Sequence, residues 1–70
     1  MAASLSDVSA RAAVNILLVD DQRAKLLSYE AILKDLDENL ISVTTANEAL
    51  AVLLKAEVAV VLVDVSMPDL

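Results

Sequence analysis

The chain contains no cysteine, no histidine and no glycine, and only one proline and one aromatic residue. Without cysteine and histidine it lacks the side chains of disulfides, of thiol and imidazole catalysis, and of the usual zinc sites. Basic residues are scarce as well, with five against eleven acidic ones and a formal net charge of −6. Such a chain repels phosphate backbones and anionic lipid head groups, which argues against nucleic acid or a membrane surface as partner.

Long hydrophobic runs are also lacking, although apolar residues make up 59% of the chain. Ala12–Val19 and Val58–Val63 are uncharged, but both are far shorter than the roughly 18 residues of a membrane-spanning helix. The first residues do not combine a basic start with an apolar stretch, so we expect no signal peptide. Without a spanning run or a signal peptide, the chain is expected to be cytoplasmic. Its length of 70 residues allows one domain at most.

Three strands are predicted after a lead, Met1–Ala13, that is rich in Ser and Ala and is expected to be flexible. Val14–Val19 and Val58–Val63 are nearly continuous apolar runs, which is typical of strands buried on both faces of a parallel sheet. Leu40–Thr44 is more polar and suits the edge of a sheet.

Two helices are predicted between these strands. Gln22–Leu36 carries apolar residues at helical spacing, and Asp21 is placed to cap its start. Thr45 and Glu48 form a capping box that opens a second helix, which should end near Ala56. The alternation predicts an α/β fold of parallel strands joined by right-handed crossovers. The apolar face of the first helix consists of Leu26, Tyr29, Ile32, Leu33 and Leu36.

Acidic residues follow two of the three strands: Asp20 and Asp21 the first, and Asp64 the third. Functional groups of parallel sheets lie beyond the carboxyl ends of the strands, so these carboxylates converge if the first and third strands are neighbours, as in strand order 2-1-3. Clustered carboxylates repel one another unless a cation compensates, and Mg²⁺ suits a half-open acidic site. A carboxylate beside that metal can act as a nucleophile and form an acyl phosphate.

Each acid also has a purely structural interpretation. Asp20 and Asp21 can be a helix cap with a solvated neighbour, and Asp64 can form a local Asx turn. Asp69 is expected to be a solvated loop residue, and Met67 is expected to pack. Acids at the ends of both strands favour the metal site, because chance rarely places them at both.

Two segments, NILLVDDQ (Asn15–Gln22) and VVLVDVSMPDL (Val60–Leu70), together resemble the receiver domain of two-component response regulators. The shared features are an acidic pair after the first strand, a single Asp after the third, and Met-Pro three and four residues beyond it. The resemblance covers residues 14–70 and implies a flavodoxin-like, receiver-type sheet with strand order 2-1-3.

The resemblance also implies roles for individual residues. Asp64 corresponds to the phosphoacceptor, which takes a phosphoryl group from a histidine of a kinase or phosphotransfer protein. Asp20 and Asp21 correspond to the acidic pair that binds Mg²⁺ together with Asp64. The backbone carbonyl of Ser66 corresponds to a further metal ligand, and Met67–Pro68 to the loop that shapes the mouth of the pocket.

The chain is expected to be the N-terminal half of such a domain, truncated to β-α-β-α-β, because it stops at Leu70. The family's fourth and fifth strands carry a hydroxyl residue and a Lys that bind the phosphoryl oxygens, and none of the five basic residues is expected to replace that Lys. The third strand, Val58–Val63, would be an unprotected edge. We therefore expect a homo-oligomer, formed by pairing of this strand or by exchange of elements.

The leading hypothesis is a receiver module in a His-to-Asp relay, not an enzyme with a diffusible substrate, and impaired by truncation. An alternative is a self-associating structural fragment whose acidic site is vestigial. A third hypothesis, an unrelated flavodoxin-like ligand binder, is disfavoured by the lack of glycine, since phosphate-cradling loops usually need a close backbone approach.

Overall fold

The computed structural model describes residues 12–67. The expected lead, Met1–Ala13, lies for the most part outside the described residues, as do Pro68 and Asp69. A short 3₁₀ turn, Lys34–Leu36, follows the first helix. The elements in chain order are β1 (Asn15–Val19), α1 (Arg23–Leu33), β2 (Asn39–Val43), α2 (Ala46–Lys55) and β3 (Val60–Val63).

The three strands form a parallel sheet in the order β2-β1-β3, which confirms the predicted α/β arrangement and the 2-1-3 order. On one side β1 pairs with β2 from Asn15 opposite Asn39 onwards. On the other side it pairs with β3 from Ile16 opposite Val60 onwards. Within residues 12–67, β1 is therefore the central strand, and β2 lies at an edge as predicted.

All three strands differ in their bounds from the prediction by one or two residues. β1 begins at Asn15 instead of Val14, and β2 begins at Asn39 instead of Leu40. Thr44 lies just beyond the end of β2, and its N–H and hydroxyl donate to the Glu48 carboxylate. Val58 does not pair in β3 but packs against the core on the α2 side.

The two faces of β1 carry separate apolar cores, as expected for a strand buried on both sides. Ile16 and Leu18 pack with Leu26 of α1 on one face. Leu17 and Val19 pack on the other face, which α2 covers. Leu17 and Leu18 are fully buried, so β1 is the centre of both cores. The cluster on the α2 side is completed by Val43, Ala49 and Met67.

The predicted apolar face of α1 is wrong at two positions. Leu26 is buried and Leu33 packs against its cluster, but Ile32 is 73% exposed and Leu36 is 54% exposed. The helix ends at Leu33 and tightens into the 3₁₀ turn, which turns Leu36 away from the sheet. Asp37, with φ of 56° in the left-handed region, then ends the turn.

The capping box of α2 is confirmed, since the Thr45 hydroxyl accepts a hydrogen bond from the Glu48 N–H at 3.1 Å. The helix ends at Lys55, with Ala56 as its C-cap. Met67 is 4% exposed and packs as expected. Neither helix within residues 12–67 has the length and apolar character needed to cross a membrane.

Candidate functional site

Three carboxylates meet at the edge of the sheet where β1 and β3 end. Asp20 and Asp21 directly follow β1, and Asp64 directly follows β3. The Asp64 N–H donates to the Val19 carbonyl at 2.9 Å, which holds the end of β3 beside the end of β1. As a result, one oxygen from each of the three carboxylates lies within 4.8 Å of the others.

Asp20 is fully buried at the base of this cluster. One of its oxygens, Oδ1, accepts a hydrogen bond from the Gln22 N–H at 2.9 Å. The other, Oδ2, accepts from the Tyr29 hydroxyl at 3.3 Å. A buried carboxylate needs such donors because it has lost its contacts with water, and here they come from the start and the middle of α1.

Asp21 is exposed and does not cap α1, so the prediction of that cap is wrong. The N-cap of α1 is Gln22, whose side chain makes no capping hydrogen bond. The neighbouring Asp20 takes the Gln22 N–H because its side chain points inward at the end of β1. Asp21 keeps its carboxylate at the solvent side of the cluster.

Asp64 is held by its own loop. Its Oδ1 accepts hydrogen bonds from the Ser66 N–H at 3.0 Å and from the Ser66 hydroxyl at 2.8 Å. This is the local Asx turn expected of an aspartate that ends a strand. The two bonds from Ser66 lower the pKa of Asp64, burial opposes them, and the ammonium group of Lys25 lowers the pKa further.

The second oxygen of Asp64, Oδ2, is buried and has no hydrogen-bond partner within the described part of the chain. The Nζ of Lys25 lies 3.8 Å away, which is an ion pair but exceeds hydrogen-bonding distance. A buried anionic oxygen without a donor is costly unless a cation compensates it. The cluster thus has an oxygen that suits a positively charged ligand.

Lys25 is a residue beside the site that the sequence did not lead us to expect, with its Nζ 3.8 Å from Asp64 Oδ2. The sequence does nevertheless indicate the position of Lys25. The helix α1 begins at the carboxyl edge of the sheet, and Lys25 lies in its first turn. Lys25 does not end a strand, so the rule that functional groups lie beyond the ends of strands does not point to it. A cation in the first turn of a helix that follows the acidic pair also reaches the cluster.

The remaining predicted residues lie on the loop after β3. Ser66 contacts Asp64 through its N–H and hydroxyl, and the role of its backbone carbonyl stays a prediction. Met67 is buried against the α2-side core, and its N–H donates to the Asp64 carbonyl at 3.2 Å. Pro68 lies outside the described residues.

The cluster of Asp20, Asp21 and Asp64 can hold a metal ion. Its donors are all carboxylate oxygens, the ligands of hard cations such as Mg²⁺ and Ca²⁺. The oxygen of Asp64 that lacks a donor fits such a cation, because the cation would supply the missing positive partner.

Comparisons with protein-family models, with curated proteins and with solved structures find no match to this chain.

Proposed function

We propose that the chain is a phosphoacceptor module of the receiver type, in which Asp64 accepts a phosphoryl group with Mg²⁺ bound beside it. The observation that carries the proposal is the meeting of three carboxylates at the ends of β1 and β3, within 4.8 Å of one another. The resemblance of the two segments around these acids to receiver domains supports the same roles. The donor is a histidine of a kinase or a phosphotransfer protein, and the relay operates in the cytoplasm.

The residues that would hold Mg²⁺ are Asp20, Asp21 and Asp64, with the backbone carbonyl of Ser66 as a further ligand. Asp20 is oriented by its two hydrogen bonds, whereas Asp21 is exposed and leaves room for water and for a phosphoryl group. Mg²⁺ prefers such partly hydrated sites with few carboxylates. When bound, it would neutralise the negative charge on the transferring phosphoryl oxygens.

Asp64 supplies the nucleophile. The hydrogen bonds from Ser66 lower the pKa of Asp64, so the carboxylate is ionised at neutral pH and carries a free electron pair. In the transfer, a carboxylate oxygen of Asp64 forms a bond to phosphorus while the bond between phosphorus and the donor breaks. The donor atom is an imidazole nitrogen of the partner, or the carboxylate oxygen of acetyl phosphate, which leaves as acetate.

The test is the intact mass of the protein after incubation with acetyl phosphate and Mg²⁺. We expect one phosphoryl adduct on the wild type and none on Asp64→Asn. Asp35→Asn is the matched control, since Asp35 is an exposed acid on the 3₁₀ turn, and it should form the adduct like the wild type. A folded wild type without any adduct would contradict the proposal.

A second candidate function is the self-associating structural fragment with a vestigial acidic site. One observation favours it: all four residues of β3 are 41–45% exposed, although the strand is entirely apolar. This candidate predicts an oligomer that forms no adduct with acetyl phosphate. The same mass measurement, combined with the sedimentation coefficient, separates the two candidates.

A further inference from the structure

The first turn of α1 carries an unusual charge for its position. Backbone N–H groups at a helix N-terminus give it a partial positive charge, which favours acidic residues there and disfavours basic ones. The first turn of α1 contains no acidic residue, but it contains Arg23 and Lys25. Lys25 is stabilised by a contact outside the helix, because its Nζ lies 3.8 Å from Asp64 Oδ2.

The contact between Lys25 and Asp64 is close enough for electrostatic attraction but too long for a hydrogen bond. The Lys25 side chain is 44% exposed, whereas that of Asp64 is 12% exposed. The ammonium group can therefore leave for solvent by rotation of its flexible stem, with the backbone of α1 in place. Asp64 stays in position, since its Oδ1 is held by two hydrogen bonds from Ser66.

We propose that Lys25 is a tethered cation that competes with the divalent metal for Oδ2 of Asp64. The proposal rests on the proposed function, because it assumes that the three carboxylates bind Mg²⁺. In the metal-free protein the ammonium group offsets part of the repulsion among the carboxylates. A divalent cation held by the three carboxylates would repel the ammonium group of Lys25, which would then move into solvent. Lys25 thereby weakens metal binding and sets the Mg²⁺ concentration at which the site fills.

If Lys25 has a purely structural role, removing its charge should have the opposite effect on the affinity for Mg²⁺. If the ion pair only fastened α1 to the end of β3, its loss would loosen the carboxylates and weaken Mg²⁺ binding. Competition predicts tighter binding once the charge is removed. It also predicts that the difference between variant and wild type shrinks at high salt, because mobile ions screen the partly exposed ammonium group.

The experiment is a calorimetric titration of the whole chain with Mg²⁺ at low and at high ionic strength. For Lys25→Met we expect the Kd for Mg²⁺ to fall about twofold to fivefold at low salt, in line with a partly exposed ion pair. Lys25→Arg keeps the charge and should stay near the wild-type Kd. Lys34→Met is the matched control, since it removes an exposed lysine from the 3₁₀ turn that follows the same helix. Lys25→Gln repeats the test if Lys25→Met does not fold.

The outcomes separate the two proposals. If the wild type binds Mg²⁺ and Lys25→Met binds it equally or more weakly, competition by Lys25 is overturned and the metal site stands. If Lys25→Met binds Mg²⁺ and the wild type does not, competition is supported in its strongest form. If neither protein binds Mg²⁺ while both are folded, the metal site and the competition are both overturned.

Discussion

Asp20 shows how one side chain can serve both the fold and the candidate site. Its two oxygens accept hydrogen bonds from Gln22 and Tyr29, so the carboxylate ties the end of β1 to α1. A metal ligand benefits from such orientation, because partners outside the coordination shell fix the direction of its oxygens. Tyr29, the only aromatic residue of the chain, thus contributes a hydroxyl donor as well as apolar contacts with the α1-side core.

At the residue scale, Asp21 gives the most direct test of the metal site. The Asp21 side chain is exposed, so Asp21→Ala should change the melting temperature of the metal-free protein little. Mg²⁺ at millimolar concentration should raise the melting temperature of the wild type, because a ligand that binds only the folded state stabilises it. We expect Asp21→Ala to abolish this rise, as measured by circular dichroism during heating.

Asp35→Ala serves as the control for Asp21→Ala, since it removes an exposed acid from the 3₁₀ turn, outside the cluster. This variant should show the full effect of Mg²⁺. A rise in Asp21→Ala as large as that of the wild type would contradict a metal site that includes Asp21.

At the element scale, the start of α2 is stabilised by a network around Glu48. Its carboxylate accepts hydrogen bonds from the Thr44 N–H, the Thr44 hydroxyl and the Thr45 hydroxyl. The bonds from Thr44 lower the pKa of Glu48 most, and those from Thr45 add to them. An acid whose pKa is lower in the folded state stabilises the fold above its ordinary pKa, and this contribution disappears as the pH falls through the lowered value.

This network predicts a pH dependence that one substitution removes. In the wild type, the urea midpoint should fall as the pH drops below about 4.5, the ordinary pKa of Glu48. Glu48→Gln cannot ionise, so its midpoint should fall less over the same range. Thr44→Val should be intermediate, because it removes the hydroxyl donor and keeps the backbone N–H. Equal pH dependence of wild type and Glu48→Gln would exclude this role of the network.

The sequence predicted the elements well because their signals are local. Continuous apolar runs next to acids indicated strands of a parallel sheet. The alternation of strands and helices indicated their parallel direction, and the 2-1-3 order was implied by the resemblance to receiver domains. The errors lie at the ends of the elements, where side chains accept hydrogen bonds from the backbone. At the start of α1 the Gln22 N–H donates to Asp20, and Asp21 makes no capping bond. Thr44 lies just beyond β2, with its N–H donating to Glu48.

The site was predictable only in part, for a physical reason. Acids that end neighbouring strands must meet at one edge of the sheet, so the cluster of three carboxylates could be expected. The position of Lys25 depends on the rotation of α1 about its axis, which sequence spacing alone does not determine. The exposure of Ile32 likewise depends on which neighbour covers α1.

On the scale of the whole molecule, β3 is the feature that most affects behaviour in solution. Within residues 12–67 it pairs with β1 on one side only. Its outer edge carries no charge or proline that would oppose pairing with another chain. We propose that a second copy of this chain pairs along this edge, since an uncharged apolar strand is compatible with its own copy.

Sedimentation velocity at micromolar concentration tests this pairing. We expect the wild type to sediment as a dimer or larger species, and Val61→Lys to shift it towards the monomer by placing a charge on the edge. Leu54→Lys is the control, since Leu54 is 87% exposed on α2 and should leave the association unchanged. A folded wild-type monomer would rule out association through β3.

The central position of the first strand has a consequence for synthesis. A ribosome releases the chain from its amino end, so β1 emerges before either of the strands that flank it. β1, α1 and β2 can assemble first. The other edge of β1, which pairs with β3, stays unpaired until Val60–Val63 has been synthesised. The carboxylate of Asp64 arrives later still. The acidic cluster is therefore completed only at the last stage of translation of the described segment, and nascent chains that end earlier carry half of it.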